Sequence, residues 1–230
     1  MDLNHIKYIA FDADDTLWNN ENYFREAEDR FCQMLENYMP HHAVNKELYI
    51  TEVRNIDKYG YGIKAFMLSM IETAVNITNS TLQPDHIKNC IEIGTQMLEK
   101  PVILIEGVAD VLKHLYEKYT LVLATKGDLV DQERKLIKSG LNDYFHHIEI
   151  MIEKNEKEYT KLFRRLDCNP EELLMIGNSL KSDVLPVLAL GGSAIHIPYH
   201  TTWEHERVDI NLTHPKFLEL KNISDLLSYI

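Results

Sequence analysis

Ile6-Lys7-Tyr8-Ile9-Ala10-Phe11 runs directly into Asp12-Ala13-Asp14-Asp15-Thr16, and this opening stretch decides how the rest of the chain is read. The first part is short, apolar and β-prone, as expected of a buried strand. The acids at its end open onto a loop. The same succession recurs after Pro101. Val108 to Tyr116 is amphipathic, Leu121 to Ala124 is a buried strand ending at Thr125-Lys126-Gly127-Asp128, and Leu129 to Lys138 is a helix stopped by Gly140. Ile148 to Ile152 is the next strand and Glu156 to Leu166 the next helix. Leu173 to Ile176 is a strand ending at Gly177-Asn178-Ser179, and Ala194 to Ile197 is the last. Strands alternating with helices predict an α/β protein with a parallel sheet covered on both faces.

From about Asn20 to Lys100 strand signals are scarce and helical periods dominate. Examples are Tyr23, Ala27, Phe31 and Leu35, then Ile87, Ile91, Gly94 and Leu98. Breaks fall at Met39-Pro40, at Tyr59-Gly60-Tyr61-Gly62 and between Asn76 and Pro84, which predicts an insert of about four helices. The expected division is a core of residues 1–18 and 101–230 and a helical domain of residues 19–100.

Ligands of open parallel sheets bind beyond the C-terminal strand ends, so polar residues there carry most weight. Asp12 to Thr16 reads either as a solvated acidic turn or as a metal-binding pair that does chemistry. Asp12 and Asp14 are two apart, and extended backbone puts them on one side. Two such carboxylates repel unless a cation joins them or one keeps a proton. Hard divalent Mg²⁺ suits oxygen ligands and phosphate substrates. Thr125-Lys126-Gly127 is either a turn or a cradle for a phosphoryl oxygen. Glu153 to Lys157 is either a charged helix start or the source of a lysine that balances the acids. Lys154 sits nearer the strand end than Lys157. In Gly177 to Asp183, Asn178 and Asp183 can supply oxygen ligands, or the segment is an ordinary strand–turn–helix capped by Ser179 or Ser182.

Taken in order, these clusters resemble the haloacid dehalogenase superfamily. Its phosphatase members carry DxDxT, a strand-end Ser/Thr, a Lys and a GDxxxxD-like segment. The resemblance covers residues 1–18 and 101–230. It implies a doubly wound, Rossmann-like core, and it makes the insert a helical cap of the C1 type. It also implies roles. Asp12 would be the nucleophile that forms an aspartyl-phosphate, and Asp14 would protonate the leaving oxygen and later activate water. Mg²⁺ would lie among Asp12, Asp14, Asn178 and Asp183. Thr125, Lys126 and Lys154 would hold the substrate's phosphoryl oxygens, and Thr16 would orient the first loop. There are two departures. Asn178 stands where the family has an Asp, and the lysine lacks the proline that commonly follows it. An Asp at position 14 suits an oxygen leaving group and argues against halide release. The implied enzyme is a Mg²⁺-dependent phosphatase acting on a small phosphorylated metabolite. The alternatives are a phosphomutase or pyrophosphatase on the same scaffold, or a catalytically weak binding or regulatory protein.

Lys plus Arg is 24 and Asp plus Glu is 36, a net charge of −12 that disfavours phosphate backbones and hence nucleic-acid partners. No apolar run approaches the ~20 residues needed to span a bilayer. The start, MDLNHIKYIAFDADD, lacks the pattern of a signal peptide. Cys32, Cys90 and Cys168 are too widely spaced for a disulfide framework or a zinc knuckle, in keeping with a reducing cytoplasm. The loop from Tyr59 to Lys64 reads either as a packed turn or as an aromatic, basic contact to the leaving group. Trp18 and Trp203 read as packing residues. The histidines between Tyr199 and Glu206 read as loop packing or a rim contact. Oligomeric state has no sequence signal.

Overall fold

The computed structural model describes residues 3–230. Its core is a six-stranded sheet in the order β3-β2-β1-β4-β5-β6. The strands are β1 (Tyr8–Phe11), β2 (Thr120–Lys126), β3 (His147–Met151), β4 (Leu173–Gly177), β5 (Ser193–His196) and β6 (Phe217–Glu219). Every neighbouring pair is parallel. The chain leaves β1, builds outward through β2 and β3, and then returns to place β4 on the other side of β1. The switch point between β1 and β4 is where an open sheet of this kind receives its ligand.

Side chains on a strand alternate between faces, and in this sheet both faces are covered, which is why the strands read as continuous apolar runs. Ile9, Phe11, Leu121, Leu123, Leu174 and Ile176 pack into one buried cluster with Val111, Leu112 and Leu115 of α5 (Val108–Leu115). Ala10, Val122, Ala124 and Met175 pack into the other, with Tyr159, Leu162 and Phe163 of α7 (Glu156–Leu166). α7 is capped by Asn155, whose side chain accepts from the Glu158 amide at 3.1 Å. Sequence reading missed β6. It is three residues long and pairs only with β5, too short for its alternation to register.

The chain separates into two compact units. One comprises the segment through Glu21, Val102–Lys126 and Gln132–Ile230, and the other comprises Asn22–Pro101 with Gly127–Asp131. The inserted unit is built on α1 (Glu21–Met34), α2 (His41–Tyr59), α3 (Ile63–Ile77) and α4 (Pro84–Glu99). It has its own core of Phe31, Leu35, Leu48, Phe66, Met70 and Ile93, with Cys32 and Cys90 buried among them. Gly60 and Gly62 join α2 to α3 at φ 69° and 101°, values that side-chain-bearing residues rarely adopt. Just beyond them Lys64, in the loop read above as either a packed turn or a contact to the leaving group, forms an ion pair with Asp128 at 2.8 Å.

Candidate active site

The first loop is built by one carbonyl. Ala13 O accepts from the amides of Thr16 at 3.2 Å and Leu17 at 2.8 Å, which folds the chain back immediately after β1. Asp15 takes a left-handed conformation, φ 63°, inside this turn. Its buried carboxylate accepts from the Asn20 amide at 2.8 Å and the Glu21 amide at 3.0 Å, holding the first turn of α1. Burial pushes Asp15 up to about 8 against the pull of these amides. The fold-back returns the Thr16 hydroxyl to Asp12, 3.1 Å from Oδ2, and places it 3.4 Å from Asn178 Oδ1. Asp12 continues the strand geometry by donating its amide to Ile176 O at 2.9 Å, so its position is set by the sheet itself.

Lys154 enters from the loop after β3. It is buried, and its ammonium donates to Asp12 Oδ1 at 2.5 Å and Asp183 Oδ1 at 2.7 Å. Lys157, the other lysine weighed from sequence, is on the exposed side of α7. Asp183 sits in a π-type turn, Leu180–Val184, that follows β4. Its second oxygen accepts from the Ser179 amide at 3.0 Å. Gly177 makes this possible. A Cβ there would lie 2.1 Å from Asp183 Oδ2, so the carboxylate occupies space that any other residue would fill.

The three groups carry two potential negative charges and one positive. Burial raises Asp12 to about 7; Lys154 works against that rise, and Asp183 and Asp14 add to it. Burial alone would lower the Lys154 ammonium, but the two carboxylates outweigh it and hold it charged.

Asp14, two residues on, is held by a separate set of donors. Its Oδ1 accepts from the Trp18 indole at 2.7 Å and from Lys135 at 2.6 Å, and its Oδ2 accepts from Gln132 at 3.1 Å and Lys135 at 2.8 Å. Gln132 and Lys135 lie on α6 (Leu129–Ser139), the helix after β2. The Gln132 amide also donates to the Thr125 hydroxyl at 2.7 Å and to Lys126 O at 3.1 Å. Thr125 is buried at the end of β2. The structure thus brings Asp12, Thr16, Lys154, Asn178 and Asp183 together, and it ties Asp14 to Thr125 through a residue that sequence reading passed over. Trp18 packs as expected and also donates to Asp14.

Lys126, expected to face the substrate, is engaged by the protein. Its ammonium donates to the carboxylate of Glu206 and, at 3.0 Å, to the Ser182 hydroxyl. Glu206 also accepts from Ser179 at 2.7 Å and Ser182 at 2.6 Å. Burial would raise Glu206, yet Lys126 and these hydroxyls prevail and bring it down to about 2. The histidine-bearing loop therefore delivers a carboxylate to the strand ends. Its rings pack locally at a tilt, His200 against Tyr199 and His205 against Trp203.

Among the described residues, no group of three or more His, Cys, Asp or Glu side chains is placed to hold a metal. The donors here are of another kind. Asp12 Oδ2 and Asn178 Oδ1 converge on one hydroxyl, beside a buried carboxylate in excess of its single lysine. Hard oxygen donors and uncompensated negative charge fit Mg²⁺. Asp183, also expected as a ligand, has both oxygens committed, to Lys154 and to the Ser179 amide.

Several known proteins share this arrangement of strands and helices. A haloacid dehalogenase-like family hydrolase from Xanthomonas campestris superposes with a TM-score of 0.88 at 38% identity, over 98% of this chain and 90% of that one. A HAD phosphatase from Thermococcus onnurineus shares the fold, with a TM-score of 0.68 at 20% identity and 97% coverage of both chains. A glyceraldehyde 3-phosphate phosphatase from Methanothermobacter thermautotrophicus is 26% identical over 213 residues, covering 88% of this chain and 89% of that protein. One from Pyrococcus furiosus is 28% identical over 211 residues, covering 86% and 82%. Residues 6–191, which include Asp12, Asp14, Thr125, Lys154 and Asp183, match the family, and the chain belongs to the haloacid dehalogenase-like hydrolases.

Proposed function

We propose that this hydrolase is a Mg²⁺-dependent phosphatase that cleaves a small phosphomonoester through a covalent phosphoryl intermediate on Asp12, with the inserted helical unit serving as its cap. The observation that carries the reading is the buried Asp12 carboxylate at the end of the central strand, gripped by one lysine shared with Asp183. A carboxylate left short of positive charge is suited to a reaction in which it gives up its own charge.

In the first step an Asp12 oxygen forms a bond to phosphorus, the bond from phosphorus to the leaving oxygen breaks, and Asp14 delivers a proton to that oxygen. Lys154 loses one of its two partners as Asp12 becomes esterified, and its ammonium then stabilises the phosphoryl oxygens, together with the Thr125 hydroxyl. In the second step water attacks phosphorus, Asp14 takes the water's proton, and the Asp12 carboxylate and inorganic phosphate are released. Bound Mg²⁺, held by Asp12, the Asp14 backbone carbonyl and Asn178, would offset the negative charge of the incoming phosphoryl group. Thr16 donates its hydroxyl to Asp12 and so helps fix that carboxylate beside Asn178.

Turnover of para-nitrophenyl phosphate with Mg²⁺ tests this, followed by a panel of phosphorylated metabolites. Glyceraldehyde 3-phosphate heads the panel because the relatives at 26% and 28% identity bear its name. Activity lost in Asp12→Asn is the expected result. Activity retained in that variant, or no turnover of any phosphomonoester, overturns the proposal. Asn178 favours a second reading, a catalytically weak protein that binds phosphorylated ligands. That reading predicts tight binding of a panel member without turnover at any Mg²⁺ concentration.

A further inference from the structure

Asp14 is enclosed more completely than an exposed acid at a loop tip would require. Four hydrogen bonds reach its two oxygens, from three side chains. Trp18 lies four residues further along the same loop, while Gln132 and Lys135 are three apart on α6, the spacing that puts two side chains on one helix face. Both residues are withdrawn from water. Gln132 is only 2% exposed, and the Lys135 side chain 13%. The first turn of α6 is the reverse of an ordinary amphipathic helix, with Leu129 and Val130 exposed while Asp131 and Gln132 are buried. A glutamine buried in this way requires partners, and it has three, Asp14, Thr125 and Lys126 O. Its amide therefore spans from the residue read here as the proton donor to the hydroxyl read here as the holder of a phosphoryl oxygen. Lys135 completes the fixture. It lies across both oxygens of Asp14 and also donates to Asn20 Oδ1 at 3.2 Å, tying the loop on its far side.

We propose that Gln132 and Lys135 are positioning residues. They form a helix-borne clamp, completed by Trp18, that fixes the Asp14 carboxyl relative to Thr125 so that proton transfer to the leaving oxygen is aligned with phosphoryl transfer. The proposal rests on the roles of Asp12 and Asp14 given above. General acid help matters most when the leaving group is a poor one. It is worth about 10²–10⁴-fold for such groups and little for those that depart readily as anions. A clamp on the acid thus has a signature that a tie merely holding α6 in place lacks.

The test is kcat/KM for a series of phosphate monoesters of rising leaving-group pKa, from dinitrophenyl through para-nitrophenyl and phenyl to an alkyl phosphate. It is run with wild type, Asp12→Asn, Asp14→Asn, Gln132→Leu, Lys135→Met and Lys135→Arg, each checked for folding by thermal denaturation. The expected result for Gln132→Leu and Lys135→Met is a loss of about 10²-fold on the alkyl ester. The dinitrophenyl ester should change less than threefold, so that both variants reproduce the steeper leaving-group dependence of Asp14→Asn. Lys135→Arg should restore much of the loss. An equal loss along the series, or no loss, overturns the clamp while leaving the phosphatase reading intact, and so does a variant that fails to fold without rescue by Lys135→Arg. If Asp12→Asn keeps its activity, the failure lies in the proposed function and the clamp falls with it.

Discussion

Asp12→Asn should make the protein free of divalent cations more stable while abolishing its activity. The argument begins with charge. Asp12, Asp183 and Lys154 are buried together, and the single ammonium at 2.5 Å and 2.7 Å cannot balance two carboxylates. Burial and the neighbouring acids lift Asp12 from its ordinary 3.8 to about 7, despite the lysine. An acid whose folded-state value is raised holds its proton more tightly when folded. The Asp12 contribution to stability is therefore most favourable at low pH, falls as pH rises from about 4 to about 7, and is level above that. At about 1.4 kcal/mol per pH unit, the full cost approaches roughly 4 kcal/mol at pH 8. Asparagine is nearly isosteric and uncharged, and it leaves Lys154 paired with Asp183 alone. In urea denaturation with a chelator present, the variant should match wild type near pH 4.5 and exceed it at pH 8 by about 1–4 kcal/mol, part of the gain being lost with the Lys154 hydrogen bond. Adding Mg²⁺ should stabilise wild type more than the variant. A variant less stable than wild type at pH 8, or a gap that does not change with pH, would refute the reasoning.

Two further substitutions probe the neighbouring contacts. Glu206 falls from its ordinary 4.5 to about 2 on folding, because Lys126, Ser179 and Ser182 more than offset its burial. A depressed acid contributes stability that is in place above about 4.5 and lost as pH falls toward 2, worth roughly 3 kcal/mol at most. Glu206→Gln should trail wild type at pH 6 and converge on it as the pH is lowered below 4 in urea denaturation; a constant gap would show that Glu206 is not held this way. Gly177→Ala should cost about 1–3 kcal/mol and most of kcat. The added Cβ meets Asp183 Oδ2 at 2.1 Å, and the displaced carboxylate gives up Lys154 and the Ser179 amide. A normal melting temperature with normal kcat would show that the turn yields freely.

The parts legible in the sequence are those whose chemistry is local. β1, β2, β4 and β5 are apolar runs because both sheet faces are covered, and a strand end marked by Asp12 or Asn178 is visible from the chain alone. Distance from the strand end favours Lys154 over Lys157 in the sequence, and its burial and its contacts to Asp12 and Asp183 separate the two in the structure. What was illegible depends on tertiary geometry. Gln132 and Lys135 look like ordinary polar residues of a helix until β1 and β2 are known to be neighbours, which turns that helix face toward Asp14. Their one local sign is the inverted first turn of α6, and an inverted turn says nothing about which partner it faces. Glu206 gave no sign at all, because 23 residues separate it from Asp183 and its loop has no period. The pairing of Lys126 with Glu206 is hidden for the same reason, since 80 residues separate them.

The pairing of lysines with acids bears on how the site could receive the phosphoryl group of the proposed reaction. Lys126 faces Glu206, Lys135 faces Asp14, and Lys154 is shared between Asp12 and Asp183. The first two tie down the surrounding loops, Lys126 also lying 3.6 Å from a Glu153 carboxylate oxygen. In the third, Asp12 is the surplus carboxylate, and it is the one whose charge the proposed reaction removes. Attack on phosphorus turns Asp12 into a neutral acyl oxygen, so Lys154 keeps Asp183 and gains a free direction toward the phosphoryl oxygens without any movement of the backbone. Asn178 fits the same logic. An aspartate there would add another negative charge beside the Thr16 hydroxyl that already serves Asp12. The amide keeps the oxygen donor and omits the charge. On the proposed reading Mg²⁺ should therefore be held more weakly than by a site with an acid at position 178, and Asn178→Asp should lower the Mg²⁺ concentration at half-maximal activity while reducing the stability of the cation-free protein.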